Sequence, residues 1–452
     1  RYVDIEAGFR EAVAAFGVPF AERAAGEVVA PDGVTARPAE AASASDGAAP
    51  TVSSPAPAGL RILNDGKSLV ANWQSSACEV CRLGLGTETF VMTLACPRRC
   101  FFCFNPNQAD FDDRAPGPRD VVAQLEARAA QGARYTHLAL TGGEPLLYPD
   151  DTVTFFRRAK ELFLGVHTRL YTSGAGLDES LLARLRAVGL DEVRFSIKTD
   201  DAPKDREAVL GLIRRACAFI PDVMVEMPVV PGSTDRMKRL LVELDEAGVK
   251  GVNLLEFCFP LYNWIEFERR GFAIKNPPFS ILYDYGYAGG LPIGGSEVAC
   301  LELLVFAMEE KLNLGVHYCS LDNKNRDQIL QKNRSAELDP TVYELDEGDW
   351  FYKAAKVFDG DVFPVRDFLA RENCSFHLEE DGRCLVFHPS YAQKVARLGA
   401  VVALSSNVVE DKDGDLLLRE LKLELGDITL LPDSPPGIIP VCPRCGSAPV
   451  AN

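Results

Sequence analysis

Between Thr87 and Phe257 the chain repeats a single unit, a short apolar run rich in β-formers followed by a stretch of helical periodicity. The runs at 87–93, 136–140, 168–172, 192–198, 223–230 and 251–257 read as strands. The segments 119–130, 152–163, 179–188, 206–218 and 234–247 carry apolar residues at helical spacing. Apolar strands alternating with amphipathic helices predict βαβ units, hence a parallel sheet with helices outside. Six such units predict an α/β fold, a partial (β/α)6 barrel related to the eight-unit barrel. Ligands in such folds collect at the carboxyl ends of the strands.

The first strand end is followed at once by Cys96-Pro97-Arg98-Arg99-Cys100-Phe101-Phe102-Cys103, three thiols spaced C-x3-C-x2-C. Three thiolates on one tight loop can converge on a soft metal centre, and iron–sulfur clusters are held by cysteine runs of this kind. A cubane of four irons would keep one iron without a protein ligand, open to a small molecule. The same thiols also suit part of a zinc site, or a cluster used only for electron transfer. The second strand ends in Thr141-Gly142-Gly143-Glu144-Pro145, where two glycines let backbone come close to a ligand.

This loop resembles the cluster motif of the radical S-adenosylmethionine (radical SAM) superfamily, C-x3-C-x-Φ-C, with Phe102 in the aromatic place. The resemblance implies a [4Fe-4S] cluster on Cys96, Cys100 and Cys103 whose open iron chelates S-adenosylmethionine. One electron, from a donor of flavodoxin or ferredoxin type, would then cleave the sulfonium to methionine and a 5′-deoxyadenosyl radical that takes hydrogen from substrate. It also implies that Gly142, Gly143, Glu144 and Pro145 contact the amino group of S-adenosylmethionine, the Gly-Gly-Glu-Pro sequence being similar to the family's. Ser173 and Ser196 stand at or near the third and fourth strand ends, where relatives use polar groups for the carboxylate and ribose. As residues alone, both hydroxyls also suit loop caps. Glu226 sits in the fifth strand as a substrate contact or as the partner of a Lys or Arg inside the barrel.

With 452 residues the chain has room for two or three domains, and 25% charged with 47% hydrophobic residues is an ordinary globular composition. A net charge of -17 opposes nucleic-acid phosphate and makes a large RNA or DNA substrate an unfavoured partner. No apolar run is long enough to span a bilayer and no signal-peptide pattern opens the chain, so a membrane role is not expected. The chain starts at Arg1, which leaves room for a removed leader. Thirteen cysteines in close sets suit metals better than disulfides, and their setting is a reduced cytoplasm.

Four regions are expected. Residues 1–59 hold a helix at Asp4–Phe16 and then an Ala-, Pro- and Ser-rich linker, and 60–86 a lead-in hairpin around Asn64-Asp65-Gly66 with Cys78-Glu79-Val80-Cys81. Residues 87–335 hold the barrel and an aromatic extension that includes Phe259, Tyr262, Trp264, Tyr283, Tyr285 and Tyr287, the material of a substrate wall or of ordinary core packing. In His317-Tyr318-Cys319 the thiol reads as reactive or as buried and inert. Residues 336–452 form a small α+β domain that ends in Cys442-Pro443-Arg444-Cys445-Gly446.

That ending resembles one knuckle of a zinc ribbon or rubredoxin. Structural zinc takes four ligands, so a four-sulfur knuckle site of Cys78, Cys81, Cys442 and Cys445 is expected, holding zinc first and iron or an iron–sulfur cluster second. Cys374 and Cys384 offer another pairing, as in the auxiliary-cluster domains of peptide-modifying radical SAM proteins, although the cysteine order departs from theirs. The resemblance covers the barrel alone, and one fold hosts many functions. Extra cysteines at both flanks point to a peptide or protein substrate. Activation of a glycyl-radical enzyme, a small-molecule substrate, methyl transfer and a non-catalytic iron–sulfur or zinc scaffold stand as alternatives, the last leaving the Gly-Gly-Glu-Pro strand end unexplained.

Overall fold

The computed structural model describes residues 19–21, 59–64, 66–107, 111–114, 117–198, 201–261, 263–279, 290–334, 338–346, 350–412 and 415–425. The expected helix at Asp4–Phe16, the linker after Gly26, Asp65, Tyr262, Tyr283, Tyr285, Tyr287, Cys442 and Cys445 lie outside the described residues. Two compact units divide the chain, Arg1–Gln331 and Lys332–Asn452.

The first unit is built on one nine-stranded sheet. It opens with an antiparallel hairpin, β1 (Leu60–Leu63) and β2 (Ser68–Ala71), and the helix α1 (Ser76–Leu83). Strand β3 (Thr87–Val91) follows, then the short α2 (Phe111–Arg114) and α3 (Val121–Ala130). Next come β4 (His137–Thr141), α4 (Pro149–Leu162), β5 (His167–Thr172), α5 (Glu179–Ala187), β6 (Glu192–Phe195), α6 (Pro203–Ala216), β7 (Asp222–Val229), α7 (Thr234–Glu246) and β8 (Gly251–Glu256). Strands β3 to β8 pair in sequence order and all parallel. The expected α/β architecture of six strand-and-helix units is therefore present.

The helices form where the periodicity placed them because each has an apolar face to bury, and two of them also have an aspartate that caps their free N–H groups. Asp120 and Asp178 cap α3 and α5 by accepting from Ala123 N at 2.8 Å and Leu181 N at 2.8 Å. Leu125, Phe155, Phe156, Leu181, Leu210, Ile213 and Leu241 are buried together with the outward side chains of the strands.

A seventh parallel strand, which the six-unit reading did not count, extends the sheet. A short pair, β9 (Cys258–Phe259) and β10 (Leu291–Pro292), and a helix α8 (Trp264–Arg269) lead to α9 (Ser296–Glu309) and then β11 (Gly315–Cys319). Strand β11 pairs parallel to β8 and antiparallel to β2. Helix α9 hid this unit from the sequence, because Val298 and Val305 are apolar on its exposed side and erase the contrast between its faces. The next helix, α10 (Leu321–Asn333), is mostly polar in sequence, yet Asp322, Asn323, Asn325, Arg326 and Asp327 are buried together with Leu321, Ile329 and Leu330.

The second unit is mixed, with an antiparallel sheet of β12 (Glu344–Leu345), β13 (Tyr352–Phe358), β14 (Phe376–Leu378), β15 (Cys384–Phe387), β16 (Ala403–Lys412) and β17 (Asp415–Leu425). Helices α11 (Val362–Arg371) and α12 (Ala392–Ala396) supply Val365, Leu369 and Val395 to a core with Ala355, Leu385 and Phe387. Cys374 and Cys384 are both buried among apolar residues of this unit, and burial pushes the Cys384 thiol up to about 12. Among the described residues no helix is long and apolar enough to cross a membrane.

Candidate active site

The cysteine loop leaves β3 and runs directly over the end of β4. Gly143 N donates to Thr93 O at 2.6 Å and Glu144 N donates to Ala95 O at 2.9 Å, so the loop backbone is bonded to the Gly-Gly-Glu-Pro turn residue by residue. Both glycines are required by that approach. A Cβ at Gly142, whose φ is 151°, would lie 2.3 Å from Thr93 O, and one at Gly143 would lie 2.2 Å from Ala95 O. Their place in the sequence suggested room for a ligand; in the structure they first make room for the cysteine loop itself.

Glu144 is fully buried, and both its oxygens are engaged. One accepts from Leu146 N at 3.1 Å and Thr172 Oγ1 at 2.7 Å, the other from Ser173 N at 2.7 Å and Ser173 Oγ at 2.5 Å. Two of the residues singled out in the sequence, Glu144 and Ser173, are thus in direct contact, and they join the ends of β4 and β5. Pro145 is buried beside them, at the start of a single 3-10 turn. Ser196 lies just past β6 and accepts from Lys198 Nζ at 3.4 Å.

On its other side the loop is held by aromatic rings. Phe101 and Phe102 pack edge to face at 5.0 Å and insert among Phe257, Phe267 and Phe272. Cations lie over both rings, Arg270 over Phe101 at 4.0 Å and Lys198 over Phe102 at 4.8 Å. Asn263 Nδ2 donates to Phe101 O at 3.1 Å, and the Arg98 guanidinium grips Asp201 at 2.7 and 3.2 Å. With Phe101 and Phe102 turned inward, Cys96 is left exposed and Cys100 and Cys103 half-buried.

These thiols fit the group that their spacing implies. All three are free, and burial pushes Cys96 and Cys103 up, with neighbouring thiols and the Glu144 charge adding to the effect at Cys96. Cys96 and Cys103 are therefore protonated at neutral pH without metal, and binding would release those protons. Among the described residues no three ligating side chains crowd around one point as a single ion requires. A cubane asks for something else, since each thiolate binds a different iron and the ligands stand apart around a volume.

The second expected site is only partly visible. Cys78 and Cys81 sit on α1, which Gly84 ends as a left-handed cap, so this C-x2-C pair occupies a helix rather than the knuckle turn that its spacing suggested. Ser75 supplies the helix N-cap by accepting from Ala77 N at 3.1 Å, and that cap is what draws the pair into helix. Cys442 and Cys445, the other half of the expected set, are not among the described residues.

Beneath the strand ends the inward side chains are polar. Arg194, buried on β6, binds Glu192, Glu226 at 2.6 Å and the Cys78 sulfur at 3.3 Å. Asn253 on β8 donates to Glu226 at 2.7 Å and to the Cys78 sulfur at 3.4 Å, and bonds the ring of His317 at 3.1 Å. Of the two readings of Glu226, the structure shows the ion pair. Burial alone would raise the Glu226 carboxyl, but Arg194 holds it below the usual carboxylate range. Burial likewise pushes the Cys78 thiol up, and Arg194 with His317 overcomes this and holds it at about 6. At Cys319 burial outweighs the pull of Lys324 and drives the thiol to about 12, the inert alternative.

Sequence reasoning missed Arg169, Arg194, Asn253 and His317. The signal was present as polar residues at every second position of otherwise apolar strands, the mark of a strand with one face turned to a polar interior.

Residues 90–244 match the model of the Radical SAM superfamily, and the chain carries a radical SAM domain, that of an S-adenosylmethionine-dependent iron–sulfur enzyme. A protein of Methanocaldococcus jannaschii, provisionally named a glycyl-radical enzyme activating enzyme, is 26% identical over 318 residues, 68% of this chain and 80% of its own length. PqqA peptide cyclase of Ruegeria pomeroyi is 36% identical over 107 residues, which are 24% of this chain and 27% of the cyclase. Among solved structures, Streptococcus suis SuiB bound to its precursor peptide SuiA superposes with a TM-score of 0.39 at 14% identity, covering 58% of this chain and 56% of SuiB. The match to this chain thus spans most of the first relative, about a quarter of the cyclase and just over half of SuiB.

Two outcomes are expected. Gly143→Ala drives a Cβ into Ala95 O, so the variant should lose most of its iron and sulfide after reconstitution while keeping its circular-dichroism spectrum; full cluster content would contradict the close approach. In metal-free protein, iodoacetamide should alkylate Cys78 with a rate that rises through a midpoint near pH 6. An unperturbed cysteine has its midpoint at about pH 8.5. Peptide mapping of the alkylated protein gives the measurement, and Arg194→Gln should move the midpoint upward.

Proposed function

We propose that this chain cleaves S-adenosylmethionine reductively at a [4Fe-4S] cluster held by Cys96, Cys100 and Cys103 and abstracts hydrogen from a peptide or protein substrate. The observation that carries the reading is the direct bonding of the cysteine loop to the Gly142–Glu144 turn, which makes cluster ligands and cofactor-side residues one rigid piece. When bound there, cluster and cofactor supply the hard chemistry, a one-electron cleavage that yields methionine and a 5′-deoxyadenosyl radical. The protein's share is positioning. Gly142 and Gly143 set the loop's height over the sheet, and Phe101 and Phe102 anchor it from the side. Glu144, buried and locked by Thr172 and Ser173, ties the ends of β4 and β5 together and so fixes the Gly142–Glu144 turn beneath the loop. Ser196, with Lys198 beside it, lies just past β6. The electron would come from a donor of flavodoxin or ferredoxin type.

The peptide reading is supported by the likeness of about a quarter of this chain to PqqA peptide cyclases. A second reading, activation of a glycyl-radical enzyme, is favoured by the M. jannaschii relative, whose match extends over 80% of its length.

Anaerobically reconstituted protein given dithionite and S-adenosylmethionine should form 5′-deoxyadenosine, and Cys96→Ser, Cys100→Ser or Cys103→Ser should each reduce this to background. Cluster-loaded, unaltered protein that forms none would sink the proposal.

A further inference from the structure

Inside the first unit, enclosed by the inner face of the strands, α1 and α10, lies a cavity of about 520 Å³, a volume that suits a small ligand or one residue of a larger one. Its wall is lined by Arg169, Tyr171, Arg194, Glu226, Asn253 and His317, none of which belongs to the cysteine loop.

Lys324 and Asp327 also line it, and most of the arginines around it have carboxylate partners. Arg194 is neutralised by Glu192 and Glu226, and Arg61 pairs with Glu79 at 3.7 Å. Arg169 has no such partner. It is 5% exposed, its Nε is buried without a hydrogen bond, and among the described residues no carboxylate pairs with its guanidinium. One face is covered by the Tyr171 ring at 5.5 Å, and burial pushes that phenol up, so the ring brings no charge. A buried guanidinium without a counter-charge is heavily penalised, and a planar fork of donors pointing into a cavity matches a carboxylate in shape as well as sign.

Depth sets the geometry of the occupant. Arg169 precedes by three residues Thr172, which bonds Glu144 at the strand end, so the two levels are about 10 Å apart at the rise of a β-strand. A ligand held at Arg169 by its anionic end therefore sits about 10 Å below the level of the strand end.

Resting on the reading of this chain as a radical SAM enzyme of peptide or protein substrates, we propose that Arg169 is a specificity-determining residue that binds a substrate carboxylate, either an acidic side chain or a C-terminal carboxylate. The single guanidinium favours this monoanion over phosphate, which usually draws several donors or a helix N-terminus.

The test uses the full chain, cluster-reconstituted and with S-adenosylmethionine present, and calorimetry with four probes. N-acetylglutamate α-amide carries only the side-chain carboxylate, N-acetylglutamine only the terminal one, N-acetylglutaminamide neither, and inorganic phosphate is the competing anion. The proposal expects one of the two acids to bind at least about tenfold more tightly than the diamide, as one charged hydrogen-bonded pair provides, and the acid that binds identifies the source of the carboxylate. Arg169→Gln should remove that preference, and Arg169→Lys should retain part of it. A diamide as tight as both acids, phosphate tighter than either, or an unchanged preference in Arg169→Gln overturns the proposal. If Arg169→Gln loses its circular-dichroism spectrum, the comparison of acids with diamide in the unaltered chain decides. Formation of 5′-deoxyadenosine by the unaltered protein is read separately: protein that forms it without any carboxylate preference refutes the role of Arg169 and leaves the proposed function standing.

Discussion

The contact on which the site depends is a backbone contact. At the ends of β3 and β4 two chain segments approach so closely that only glycine fits on one of them, and the peptide groups of Thr93 and Ala95 bond directly to Gly143 and Glu144. Such a junction has little freedom, because each N–H and C=O it uses is out of water and would be costly to leave unmade. The cysteine loop inherits that rigidity. Its spacing alone would permit many shapes, but its start is bonded to the sheet and its middle is pinned by Phe101 and Phe102 among other aromatic rings. The thiols stay on the remaining side, accessible for metal.

A second constraint acts below the strand ends. A parallel sheet with helices outside turns its other face inward, and here that face is charged rather than apolar. Buried arginines and carboxylates are stable only when paired, and Arg194 with Glu192 and Glu226 meets that condition. Once this network is in place it sets the chemistry of its neighbours: the same guanidinium that neutralises two carboxylates lowers the Cys78 thiol, while Cys319, out of its influence, stays protonated. Arg169, in the same layer but outside the network, is what makes the cavity selective for charge instead of merely polar.

How much of this was legible in the chain can be read element by element. Strand and helix positions from β3 to β8 were, since amphipathic helices with Asp caps and β-rich apolar runs declare themselves within a few residues. The cysteine loop and the Gly-Gly-Glu-Pro turn were legible as motifs, though the glycines' immediate task, admitting the backbone of Thr93 and Ala95, was not. Helix α9 escaped because exposed Val298 and Val305 blur its faces. That the Cys78–Cys81 pair lies on a helix was not legible, because spacing is silent about the helix that the Ser75 cap starts.

What the sequence determined by itself, then, is whatever depends on neighbours along the chain: the βα rhythm, the thiol spacing, the glycines at a strand end. Tertiary structure alone decided which side chains share the interior, since Arg169, Arg194, Asn253 and His317 are separated by up to 148 positions (317 − 169) and meet only after the strands have paired in order. Helix α10 shows the reason most plainly. Its Asn323 and Asp327 look like part of a solvated surface in the sequence, and they are buried because they line the polar cavity inside the assembled sheet, a property that no local pattern encodes.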